Sequence, residues 1–163
     1  MSPVDQKAIG SHINQEVKIF NRPLEEVDIC ADRIESILKT ISSLDLKRPS
    51  YPDLIPPDID KKNLVNSISR ANAIEIEKTY ALWDDIQAAV ASDAEGAIAD
   101  NYTKSAYILN LTYLAEFEGQ FPKFRQHVLK LYCQTTGAGV DDACLLIHLI
   151  HYMYLSCQIG IKP

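Results

Sequence analysis

Apolar side chains recur along this chain at steps of three and four residues, the spacing of one face of an α-helix. Proline, glycine and capping residues divide the pattern into six helical segments. The predicted helices cover approximately residues 2–20, 24–44, 60–91, 96–118, 122–134 and 141–158. The sequence therefore predicts an all-α protein of about six helices in an orthogonal or up-down bundle.

The last predicted helix is apolar on nearly every side. Its run from Ala143 to Ile159 contains only two histidines and a few small polar residues among large apolar ones. A helix that is apolar all round is buried, either in its own core or against a partner. A transmembrane helix needs about 20 predominantly apolar residues, so we expect a buried helix rather than one that spans a membrane.

The second predicted helix, over residues 24–44, carries apolar residues at alternating steps of three and four, which is typical of a coiled-coil-like packing seam. The seam predicts an antiparallel neighbour in the same chain, so residues 1–46 are interpreted as a helical hairpin. The seam consists of Val27, Cys30, Ile34, Ile37, Ile41 and Leu44.

A proline-rich segment, residues 47–60, separates this hairpin from the rest of the chain. Its four prolines rule out continued helix and favour extended geometry. Tyr51, Leu54 and Ile55 favour a strap packed across the bundle between helices 2 and 3, although proline-rich segments also bind aromatic-lined modules. Residues 61–163 then form the helical core of a single domain that spans residues 1–163.

The third predicted helix begins at an Asp58 or Asp60 cap and extends to about Ala91. Its apolar stripe changes direction near residues 72–75, which predicts a bend or a change of packing partner there. The early face consists of Leu64, Ile68 and Ala71, and the later face of Ile76, Tyr80, Trp83, Ile86 and Val90.

Composition and charge limit the possible functions. The 163 residues are 47% hydrophobic and 23% charged, which are ordinary values for one globular domain. The 16 basic and 22 acidic residues give a net charge of −6, which argues against a nucleic-acid partner. No leader pattern follows Met1, and the four cysteines do not resemble a disulfide framework, so we expect a cytoplasmic protein.

One cluster of cysteines and histidines suggests a candidate ligand or metal site. Cys144, His148 and His151 are separated by four and three residues, so they share a face of the last helix. If that helix folds back on the preceding one, Cys133 and His127 come opposite them, and the five side chains then offer metal or haem ligands. The competing interpretation is ordinary core packing, with no cofactor, in which each imidazole bonds to a neighbouring group.

Two functional hypotheses follow from these observations. The first is a non-catalytic helical bundle that binds proteins, as a regulator, an immunity or antitoxin-type partner, or a chaperone or adaptor. It is expected to self-associate as a homodimer, with interface candidates Val27, Ile34, Ile41, Leu145, Leu149 and Tyr152. The alternative is a small-molecule or metal-binding bundle whose pocket between helices 4, 5 and 6 includes Tyr107, Tyr113 and Phe117.

Overall fold

A computed structural model describes residues 22–44, 58–92 and 96–162 of the chain. These ranges contain helices and no strand, so the predicted all-α fold is confirmed. The predicted helix over residues 2–20 and most of the proline-rich strap lie outside the described residues, and the division into hairpin, linker and core stays a prediction. The α-helices are α1 Ala31–Ser43, α2 Ile59–Val65, α3 Arg70–Glu77, α4 Trp83–Ala91, α5 Ala97–Glu116, α6 Phe121–Thr136 and α7 Val140–Leu155.

Helix α7 lies at the centre of the fold. Every residue from Ala143 to Leu155 is buried, as its apolar circumference predicts. It packs against α1, α3, α4 and α6, while α5 packs mainly against α1 and also contacts α4. Within the described residues, each helix is either too short or too polar to cross a bilayer.

The ends of α6 and α7 follow from local chemistry. Gly137 ends α6 with a φ of 67°, in the left-handed region that glycine adopts readily and that strains other residues. Asp141 and Asp142 then lie in the first turn of α7, where their charge is favourable near the positive end of the helix dipole.

Helix α1 begins later than the sequence predicts. Residues Leu24–Glu26 form a single 3-10 turn, the chain is extended near Val27, and Cys30 is the extended N-cap of a helix that starts at Ala31. The predicted start at residue 24 is therefore wrong, because side chains hold this segment open: Arg33 donates to the Asp28 carboxylate at 2.8 Å. The seam residues Ile34, Ile37 and Ile41 do form the buried face of α1.

The single predicted helix over residues 60–91 is also wrong in detail. It consists of α2, α3, a 3-10 helix at Lys78–Leu82, and α4. The first break occurs where Ser67 adopts a φ of 54° and the Ser69 hydroxyl accepts from the Asn72 N–H to start a new helix. Asp58 caps α2, as one of the two alternatives predicted, by accepting from the Asp60 N–H.

Candidate functional site

Three of the predicted ligand residues share one face of α7, as their spacing predicts. Cys144, His148 and His151 line a narrow cavity of about 20 Å³, which is room for roughly one water molecule. Ile147 of the same helix also lines it, and the cavity is closed by side chains from other parts of the chain: Arg22, Leu24, Glu75 and Lys78.

Hydrogen bonds join the two histidines into a chain. Arg125 Nη1 lies 2.7 Å from His151 Nε2, and because a guanidinium only donates, this ring nitrogen accepts. The remaining proton of neutral His151 is therefore on Nδ1, which donates to Thr79 Oγ1 at 3.4 Å. The Thr79 hydroxyl then donates to His148 Nδ1 at 2.9 Å.

Both imidazoles are neutral in this environment. Burial lowers the pKa of His148 to about 4. Burial, reinforced by the nearby Arg125 charge, lowers the pKa of His151 well below its ordinary value. Each lone pair in the chain is used by Arg125 or Thr79, so neither histidine presents a free nitrogen to a metal ion in this arrangement.

The other two ligand candidates lie apart from this cavity. His127 is exposed on α6 and its ring packs against Phe117, with centroids 5.1 Å apart. Cys133 is half-buried, and burial raises the pKa of its thiol as it does for Cys144. Among residues 22–44, 58–92 and 96–162, no three His, Cys, Asp or Glu side chains are placed to hold a metal ion.

Two of the three predicted pocket residues, Tyr113 and Phe117, pack against aromatic residues of α6. Tyr113 is fully buried, and its hydroxyl donates to Asn66 Oδ1 at 2.7 Å and accepts from the Gly119 N–H. Phe117 is half-buried against Phe124, and Tyr107 is half-buried on α5. Tyr113 therefore contributes to the core, where its hydroxyl is already occupied.

A second buried polar cluster, which sequence reasoning missed, surrounds Lys62. Its Nζ donates to the Tyr154 carbonyl and lies 4.1 Å from the centroid of the Tyr154 ring, and burial lowers its pKa to about 8. Asn66 accepts from the Ile161 N–H and donates to the Ile161 carbonyl, which fastens the C-terminal tail to α2. The hydropathy pattern does not indicate this cluster, because Lys62 and Asn66 next to Leu64 predict a polar face directed to solvent.

Most of the interface candidates are in the core of the single chain. Ile34, Ile41, Leu145 and Leu149 are fully buried by other residues of the same chain. Tyr152 is 8% exposed and packs against Trp83. Of the six candidates, Val27 alone borders the groove described next.

An open groove of about 720 Å³ lies beside the extended segment that precedes α1. One wall is formed by residues of the 25–31 segment, all of which except Cys30 line the groove. The other wall is one face of α4, since its members are spaced by three and four residues. Half of the ten lining residues are aliphatic: Val27, Ile29, Ala31, Ala88 and Ala89.

Four carboxylates line the groove together with Ser92, namely Glu25, Glu26, Asp28 and Asp85. Arg33 pairs with Asp28 and also with Asp142 of α7. Arg22 pairs with Asp141 and lies 3.8 Å from Glu26. Within the described parts of the chain, Glu25 and Asp85 are exposed and pair with no cation, so the groove is electronegative.

Comparison with protein-family models places residues 21–160 in one family, whose description is C-terminal domain 12 of the ABC-three component (ABC-3C) systems. Searches of curated proteins and of solved structures found no match. The matched range includes α1 to α7, the histidine chain, the groove and the Lys62 cluster apart from Ile161. The chain therefore belongs to the family of C-terminal domain 12 of the ABC-three component systems.

Proposed function

We propose that this chain is a protein-binding domain that connects the component carrying it to the other components of an ABC-three component system. The observation that carries the proposal is the family match over residues 21–160, because the family is described as a domain of a system with several components. Such a system needs contacts between its components, and a small helical domain supplies a rigid surface for them.

The geometry of the described residues supports a binding role. His148 Nδ1, both ring nitrogens of His151 and Lys62 Nζ are bonded to protein groups, so these clusters support the fold. The features open to solvent are a large groove and several apolar side chains. The exposed apolar side chains include Leu64, Ile74 and Tyr80, which are 79%, 50% and 51% exposed, and a partner that covers them would bury this apolar surface.

The test is reconstitution with the other components of the same system. The chain is mixed with each purified component singly and with all of them, and complexes are separated by size exclusion with light scattering. We expect a stable complex with at least one component. If the chain elutes on its own from every mixture, at concentrations well above the dissociation constants of stable assemblies, the proposal is contradicted.

The same experiment measures self-association, which the sequence predicts. Because α7 and the seam of α1 are buried within one chain, a two-fold contact has to use other surfaces. Light scattering of the chain alone gives its mass directly, and a mass equal to one chain at all concentrations would exclude the homodimer.

A further inference from the structure

We propose that the groove between residues 25–31 and α4 is the docking site for a cationic, amphipathic segment of another component of the system. This inference rests on the proposed function and adds to it the surface and the chemistry of the partner. It is carried by two properties of the groove, the small aliphatic side chains on its walls and the carboxylates beside them.

The walls allow close approach of another polypeptide. Asp85, Ala88 and Ala89 lie on one face of α4 and Ser92 caps its C-terminus, and all four have small or short side chains. A partner segment can therefore approach the α4 backbone without displacing large groups. Val27 and Ile29 on the facing wall are half-buried, and they offer apolar surface that becomes buried when the groove is filled.

The charges select a positive partner. Two arginines of the chain lie on this side. Arg22 pairs with Asp141 in the first turn of α7 and approaches Glu26. Arg33 pairs with Asp142 of the same turn and with Asp28. Glu25 and Asp85 remain exposed on opposite walls. A Lys or Arg side chain placed between the walls would approach both carboxylates, and complementary charge of this kind guides association and fixes register.

Other ligand classes fit the groove less well. A metal ion needs converging ligands, and the described residues contain no such set of three acidic, cysteine or histidine side chains. An anionic ligand would be repelled by the exposed carboxylates of Glu25 and Asp85, which no arginine offsets within the described residues. A polypeptide segment that combines Lys or Arg with small apolar residues matches both the shape and the charge.

The experiment compares two double variants that change net charge equally. Glu25→Lys with Asp85→Lys reverses charge in the groove, and Glu77→Lys with Glu118→Lys reverses two exposed charges that do not line it. Binding of each variant to the purified components is measured by calorimetry at low and at physiological ionic strength. Circular dichroism establishes that both variants are folded.

We expect the groove variant to weaken binding by about tenfold or more and the control by less than about twofold, since rim charges act mainly where they face a partner. Wild-type affinity should fall as salt rises. A third variant, Ala88→Trp, fills the groove without changing charge and should weaken binding by a similar factor.

Each outcome has a defined meaning. If the wild type binds a component and the groove variants bind it equally well, the groove proposal is overturned while the proposed function stands. If the wild type binds none of the components, both are overturned. If the wild type is a dimer and the groove variants are monomers, the occupant is a second copy of this chain, and the assignment to another component is wrong.

Discussion

Lys62 illustrates how the fold buries a polar side chain that the sequence predicts to face solvent. Its side chain is fully buried, bonded to the Tyr154 carbonyl and packed over the Tyr154 ring. Burial favours the neutral amine, so the pKa is lowered from 10.5 to about 8. The protein therefore keeps a buried cation at neutral pH at a cost in stability.

Replacing Lys62 with Met should change how stability depends on pH. Between about pH 8 and 10.5 the unfolded wild type binds a proton at Lys62 that the folded protein has released, so its free energy of unfolding rises with pH. The shift corresponds to roughly 3 kcal/mol across this window. Chemical denaturation at several pH values should show this rise in the wild type relative to Lys62→Met. If the free energies of unfolding of the wild type and Lys62→Met follow parallel pH profiles, Lys62 is not the group that titrates.

The histidine chain should make the protein sensitive to acid. The pKa of His148 is lowered to about 4, so below about pH 6.5 the unfolded chain takes up a proton that the folded chain does not. Stability is therefore lost as pH falls through this range, with a limiting slope of about 1.4 kcal/mol per pH unit for each such histidine. His148→Gln should have a shallower slope in denaturation experiments. An unchanged slope would show that His148 is not the group responsible.

Thr79 should contribute to stability through the same chain. Thr79→Val removes the hydroxyl that bonds to both imidazoles and leaves buried polar nitrogens unpaired, which we expect to cost about 1–3 kcal/mol. The control is Thr103→Val, because Thr103 is exposed on α5, and it should stay within about 0.5 kcal/mol of the wild type. Equal effects of the two substitutions in urea denaturation would contradict this role for Thr79.

At the scale of elements, prediction succeeded where local pattern decides the outcome. The extent of α6 and the burial of α7 follow from helical periodicity, Gly137 and the paired aspartates. The face shared by His148 and His151 follows from the same periodicity. Their partners Thr79 and Arg125 come from other elements, and spacing within one helix carries no information about them.

Helix α2 shows why the remaining elements could not be predicted. Leu64 is 79% exposed while Lys62 and Asn66 are buried, so the predicted inward face is wrong at Leu64, whereas Ile68, beyond the end of this helix, does pack against the core. The reversal arises because Asn66 binds backbone groups of the C-terminal tail, about a hundred residues further along the chain. Hydropathy along a short helix does not reveal a contact at that distance.

The tail itself gives a prediction at this scale. A Cβ added to Gly160 would lie 3.1 Å from Asn66 Oδ1 and 3.2 Å from Lys62 Cε, and its φ of 106° strains other residues. Gly160→Ala should therefore destabilise the protein by about 1–3 kcal/mol. Gly139→Ala is the matched control, since nothing lies within 4 Å of the added atom. If the two variants unfold at the same temperature, Gly160 is not packed tightly against α2.

At the scale of the whole molecule, the described residues form a buried interior with an open, acidic groove at one side. Helix α7 is buried from Ala143 to Leu155, whereas the segment before α1, one face of α4 and several residues of α2 and α3 are open to solvent. The family match adds that such domains belong to systems of several components. Binding to those components is therefore the central claim.

Hydrogen exchange followed by mass spectrometry, on the chain alone and in the presence of the other components, tests this claim most directly. We expect slower exchange on assembly in residues 25–31 and 85–92, and no change in α7, whose buried amides are protected in the free chain. Identical exchange with and without the components, along the whole chain, would contradict the account.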